Sequence, residues 1–224
     1  MGGLLRGALL SALIFLSIAR ACAEEPSVRF TIARLKYSGG GDWYSDPSSI
    51  PNLLRFLKEH TRIDVADEEA RVGIMDEKLF SYPFLYMTGH GNVSFSEEEV
   101  RRLRKYLEHG GFLYGDDNYG MDRSFRREIK KVFPDHELVE IPPNHGIFHT
   151  HYDFPKGLPK IHEHDGGPPH AYGIFLDGRL AVFYSFNTDL GDGWEDPDVH
   201  NDPPEKRKAA LKMGVNIVVW ALTH

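Results

Sequence analysis

The chain predicts an α/β fold in which a mainly parallel sheet is covered by helices on both faces, with an antiparallel hairpin near the carboxyl end. Three observations carry this. Short apolar runs alternate with helical patterns along most of the sequence. The segment Pro83 to Asp117 spells one complete strand, turn, helix and strand, and Asp177-Gly178 separates two strand-like runs, a strong two-residue hairpin signal.

The elements follow in order. Val28 to Tyr37 alternates apolar and polar residues as a half-buried strand does and runs into Ser38-Gly39-Gly40-Gly41-Asp42-Trp43-Tyr44. Asp46-Pro47 opens a helical region that carries Leu53, Leu54 and Leu57 on one face up to His60, and a brief second strand is expected around Ile63 to Val65. Phe84 to Met87 is a continuous apolar run, as suits a strand covered on both faces. Ser96 with Glu99 forms a capping box, Glu97 to Glu99 put negative charge at the positive end of the helix dipole, and Val100, Leu103 and Leu107 recur at helical spacing until Gly110-Gly111. Phe112 to Gly115 is the next strand. Phe125, Ile129 and Val132 mark a helix ended by Pro134, and Leu138 to Ile141 a strand ended by Pro142-Pro143. Ala171 to Leu176 and Arg179 to Ser185 form the hairpin, and a long, largely apolar helix runs from Asp202, with Pro203 and Pro204 in its first turn, through Trp220. Pro155 to Pro169, rich in Pro, Gly and His, reads as a long exposed loop.

Composition bounds the function. Residues 1–23 carry Arg6, an apolar core from Ala8 to Ala19 and then Ala21-Cys22-Ala23, the small-x-small pattern that precedes signal-peptidase cleavage, so an exported, periplasmic or secreted domain of residues 24–224 is expected. The alternative makes Cys22 a lipid-acylated residue, although Arg20 stands where such a site wants a small side chain. Cleavage removes Arg6 and Arg20 and leaves 24 basic against 33 acidic residues, a net charge of minus 9, which argues against nucleic acid as a partner. No membrane span is expected after cleavage. Cys22 is the only cysteine, so the mature chain has neither disulfide nor thiol nucleophile.

Ligands of open α/β sheets bind beyond the carboxyl ends of the strands. His90, Asn92, Asp116, Asp117 and Asn118 all sit at such ends, which makes His90, Asp116 and Asp117 candidates for acid/base chemistry and Asn92 and Asn118 for ligand binding. The alternative for His90 is a histidine that hydrogen-bonds its own turn. Asp42 and Tyr44 beside Trp43 combine a carboxylate with aromatic faces, a pairing that suits a sugar ring and equally a buried aromatic with a satisfied polar edge. Asn187 and Asp189 belong to an oxygen-rich stretch ending at Glu195, which is no calcium loop because Asp192 stands where that loop needs glycine. Gly39-Gly40-Gly41 is either a tight turn or an anion cradle. Seven of the 12 histidines lie between His136 and His170. Residues two apart on an extended segment share a face, so His149 and His151, with Asp117, form a candidate shell for zinc, manganese or iron. His162-x-His164 has the same spacing but sits within the loop. The alternative is that these histidines are solvated loop residues.

The strings RLKYSGGGDWYSDPSSIPNLL, LFSYPFLYMTGHG, LEHGGFLYGDDNYG and LKMGVNIVVWALT resemble a bacterial family known as a domain of unknown function, DUF4159, grouped with class I glutamine amidotransferase-like domains. The resemblance covers essentially the whole of residues 24–224 and implies a flavodoxin-like, three-layer sandwich. It also implies a cysteine nucleophile after a Gly-rich strand end and a His-x-Glu pair after a late hairpin. Asp116-Asp117 and Phe186-Asn187-Thr188-Asp189 stand at those places, so glutaminase chemistry is excluded. Two functions remain: an exported, metal-assisted hydrolase of a small polar molecule, such as a carbohydrate, or a non-catalytic ligand-binding or assembly module of the cell envelope.

Overall fold

The computed structural model describes residues 29–162, 164 and 166–224. The expected signal peptide and Cys22 lie outside them. Seven strands form one sheet: β1 (Ala33–Lys36), β2 (Ala70–Gly73), β3 (Phe84–Gly89), β4 (Phe112–Asp117), β5 (Val139–Glu140), β6 (His170–Leu176) and β7 (Arg179–Phe186). Their order is β2-β1-β3-β4-β7-β6-β5, with the first five parallel and β6 antiparallel to both its neighbours. The run β2-β1-β3-β4 followed by a further parallel strand is consistent with a flavodoxin-like fold, in which the order reverses between β1 and β3.

The helices are α1 (Ser49–His60), α2 (Glu97–Glu108), α3 (Asp122–Val132), the short α4 (Leu190–Trp194) and α5 (Pro197–His200), and α6 (Pro204–Thr223). Helix α2 has the expected capping box, Glu99 N donating to Ser96 Oγ and Ser96 N to Glu99 Oε2. Because strand side chains alternate between faces, Phe84, Tyr86, Phe112 and Tyr114 join the core under α1, α4 and α6, while Leu85, Met87 and Leu113 join the core under α2 and α3.

Two expectations need correcting. The second strand is Ala70–Gly73 rather than Ile63 to Val65: Val65 makes one isolated bridge with Phe30, and Val72 is the residue that the edge strand buries. Asp116 and Asp117 are the last two residues of β4 itself, not residues beyond it, which fixes their directions.

The topology also decides what reaches the carboxyl end of the sheet. Strand β6 runs against β7, so its first residue, His170, pairs with Phe186, the last of β7. The segment before β6 is therefore delivered to the same edge as the loops that follow β1, β3, β4 and β7. Helices α1 and α6 both begin at this edge, where Ser48 N donates to Glu195 and Arg207 to the Glu195 carbonyl, and both run away from it.

Candidate metal centre

Asp116 continues the Phe112 and Tyr114 register and enters the α1, α4, α6 side, where it is fully buried. It accepts from Ser185 Oγ at 2.5 Å, from Gly191 N at 2.6 Å and from Tyr86 at 3.4 Å. A Cβ built on Gly191 would stand 3.0 Å from Asp46 Oδ2 and 3.1 Å from Asp116 Oδ2, so two carboxylates converge on the bare backbone of α4. Asp117 points to the opposite face and accepts from Met121 N at 2.8 Å, ahead of α3.

Asp46 is placed by a residue that the sequence did not single out. Arg34 of β1 is 1% exposed, pairs with Glu69 at 2.9 Å, and donates to the carbonyls of Ser45 at 2.6 Å and Asp46 at 3.0 Å. Asn118 Nδ2 donates to both Asp46 oxygens, at 3.2 and 3.1 Å. Asp46 takes a left-handed backbone with φ of 54°, as do Asp189 and Asn187 at 58° and Tyr119 at 69°. Asn and Asp tolerate this region best, and such residues gather at functional sites.

The loop after β7 supplies Asp189, 1% exposed, and Asp192, buried in α4. Against them come two histidines from the segment ahead of β6. His162 Nδ1 lies 2.8 Å from Asp192 Oδ2, and its Nε2 lies 3.0 Å from Asp202. His164 Nε2 lies 2.6 Å from Asp189 Oδ2 and stacks on Tyr119 at 4.7 Å. One ligand atom from each of His162, His164, Asp189 and Asp192 lies within 4.8 Å of the others, and Asp46, Asp192 and His200 form a second such group.

Burial and crowding set the electrostatics. Asp189 is pushed up to about 8 by burial, then by the charges of Asp116 and Asp192, with His162 opposing. Asp46 is likewise pushed up to about 8 by burial, Asp192, Glu195 and Asp116 against Arg34. Burial raises Asp116 despite its bonds from Ser185 and Gly191. His162 is raised to about 9, chiefly by its bond to Asp192, and His164 is lowered by burial and by the neighbouring His162. Both Asp189 oxygens and Asp192 Oδ1 are buried without a hydrogen-bond partner among the described residues. The 2.6 Å approach of His164 to Asp189 thus has the closeness of an interaction without hydrogen-bond alignment.

The expected shell of His149, His151 and Asp117 is not assembled. His149 contacts Asp153 at 2.5 Å and the Pro143 carbonyl at 2.9 Å, and among the described residues no third metal-ligating side chain joins that pair. The backbone N–H of His151 bonds to Asn216, well along α6, and His151 lines a groove with His60 and Val219 at the far ends of α1 and α6. Among the described residues, neither histidine nor Asp117 belongs to a metal-competent group.

The remaining candidates form a rim. Thr88 and Gly89 of β3 pair with Asp116 and Asp117 of β4, which brings the His90 turn beside the β4 end. Asp42 Oδ2 lies 3.0 Å from His90 Nδ1, and its Oδ1 accepts the His90 backbone N–H. Asn92 donates to the Gly39 carbonyl and lines a cavity of about 500 Å³ with Gly91, Gly120, Arg123, Ser124 and Arg127. Asn187 accepts from Lys160 at 2.6 Å, and Tyr44 is exposed.

These features define an α/β domain with a carboxylate-and-imidazole centre at the carboxyl end of its sheet. The chain belongs to the family described as Domain of unknown function (DUF4159), whose model matches residues 31–222. No curated protein matches the chain.

Proposed function

We propose that this protein binds a divalent cation through His162, His164, Asp189 and Asp192 and is an exported hydrolase of a small polar substrate. The carrying observation is the Asp189 carboxylate, buried and without a hydrogen-bond partner among the described residues, with His164 against it. Ionising a carboxylate so placed costs several kcal/mol unless a cation compensates. Two nitrogens and two carboxylates suit zinc, manganese or iron. When bound, such an ion polarises a substrate oxygen or lowers the pKa of water.

The chain's own groups supply the rest. Asp202 on His162 Nε2 holds that ring as the outer partner of a ligand histidine does, leaving Nδ1, beside Asp192, as the nitrogen for the ion. Asp42 orients His90, a half-exposed imidazole, so His90 is the group for proton transfer at the rim. The cavity beside Asn92, with Arg123 and Arg127 in its wall, is the substrate cleft.

Elemental analysis of the purified protein tests the reading. At least one equivalent of transition metal is expected, reduced by Asp189→Asn and His164→Ala. Metal-dependent hydrolysis should then appear in a panel of small polar esters, amides and glycosides, lost in His90→Ala with metal retained. Wild-type protein without stoichiometric metal would leave the non-catalytic envelope module as the better account.

A further inference from the structure

The two oxygens of Asp192 face different donor groups. Oδ2 meets His162 Nδ1 at 2.8 Å, while Oδ1 lies 3.6 Å from His200 Nε2. The second distance is too long for a hydrogen bond. It is close to the spacing of roughly 3.4 Å that two ligands about 2.1 Å from one ion adopt at a tetrahedral angle. Asp192 Oδ1 is itself buried and without a hydrogen-bond partner among the described residues, on a side chain 6% exposed. Asp46 completes the group, with one ligand atom of each of Asp46, Asp192 and His200 within 4.8 Å of the others.

The geometry around Asp46 is prepared. Arg34 holds its backbone, and Asn118 spans both carboxylate oxygens with a single nitrogen, which leaves each oxygen further lone pairs. Asp46, Asp116, Asp189, Asp192 and Glu195 are all buried at this edge, where Arg34 and His162 are the facing cationic groups.

We propose that the centre holds two divalent cations bridged by the Asp192 carboxylate, the first on His162, His164 and Asp189 and the second on Asp46 and His200. This rests on the metal reading above and extends it to a binuclear site. Two-metal centres place their ions about 3.5–4 Å apart and hold both the attacking and the leaving oxygen of a hydrolytic displacement.

Titration of chelator-treated protein with Mn²⁺, followed by equilibrium binding and by electron paramagnetic resonance, tests it. Two equivalents and an exchange-coupled spectrum are expected for wild type. His200→Ala and Asp46→Asn should each bind one equivalent and give the spectrum of an isolated ion. His200 is partly exposed, so its variant keeps the test independent of folding. One equivalent in wild type, two uncoupled ions, or two equivalents retained in both variants would overturn the bridge. One equivalent that disappears with Asp189→Asn would overturn it while leaving the single-ion centre intact, and no binding at all would remove both.

Discussion

Two His-x-His segments lie close together in this chain and have opposite surroundings. His149 and His151 belong to a segment tied down by ordinary hydrogen bonds: Asn216, fully buried in α6, accepts from the backbone of His151 and Tyr152 and donates to the Tyr152 carbonyl. His149 also meets a carboxylate, the exposed Asp153, whereas His162 and His164 face the buried Asp192 and Asp189, which keep oxygens without hydrogen-bond partners among the described residues. Imidazole spacing is the same in both. What sets the proposed ligand pair apart from the structural pair is what the rest of the fold has left unpaired opposite it.

The largest effects should come from cutting the frame behind each pair. Arg34→Met leaves Glu69 with Arg71 as its guanidinium partner and frees the Asp46 loop. The expected loss is about 3 kcal/mol of stability, from the Ser45 and Asp46 carbonyls left without their donor, measured by denaturant unfolding, together with weaker metal binding. Asn216→Leu strands three backbone groups and should cost about 3 kcal/mol or more, yet leave metal stoichiometry unchanged in whatever protein folds. If Asn216→Leu also emptied the centre, the two segments would not be independent.

Next in size is the direct contrast. His164→Ala should weaken metal binding by about 100-fold or more, since it removes a ligand and not merely a supporting partner, whereas His149→Ala and His151→Ala should bind as wild type does. Calorimetric titration decides it, and equal losses at both pairs would erase the distinction.

A smaller effect concerns pH in metal-free protein. Asp46 and Asp189 titrate at about 8 when folded against an ordinary 3.8, so folding favours their protonated forms and stability is lost as pH rises from about 4 to 8. His162, raised from 6.5 to about 9, contributes stability that is full below 6.5 and is lost as pH passes 9. Both trends have one sign, so the melting temperature with chelator should fall between pH 5 and 9, and added cation should flatten the decline because it prefers deprotonated ligands. A metal-free melting temperature that climbs over this range would mean that the carboxylates are compensated within the chain.

The smallest effect is expected at Asp117. Burial raises it to about 6, so its charge at neutral pH opposes folding. Asp117→Asn keeps an oxygen for Met121 N and should leave metal content unchanged while raising stability at pH 7 by less than about 1 kcal/mol. Loss of metal here would restore Asp117 to the centre.

Much of this was legible in the sequence. Periodicity and capping located α2, α3 and α6, and the Asp177-Gly178 turn located the hairpin, because those signals are local. The strand ends after β1, β3 and β4 were legible as a rim for the same reason. The partners of Asp116 were not, since Asp46 and Asp189 reach it only through tertiary packing. Proline and glycine made residues 155–169 look like solvent-exposed chain, although Leu158 and Ile161 are buried and anchor the histidines. One signal was available. An antiparallel hairpin next to a parallel strand places the approach to its first strand at the carboxyl edge, and that argument selects His162 and His164 over His149 and His151.

The bonds that frame the centre join parts of the chain remote from one another: Ser48 to Glu195 across 147 residues and Asn118 to Asp46 across 72. Loops of that length are expected to close after local units such as β3-α2-β4 have formed. Contacts absent from the transition state act on the rate of unfolding rather than on the rate of folding. An ion seated between these segments would therefore work as a latch, lengthening the lifetime of the native chain while leaving its speed of folding almost untouched.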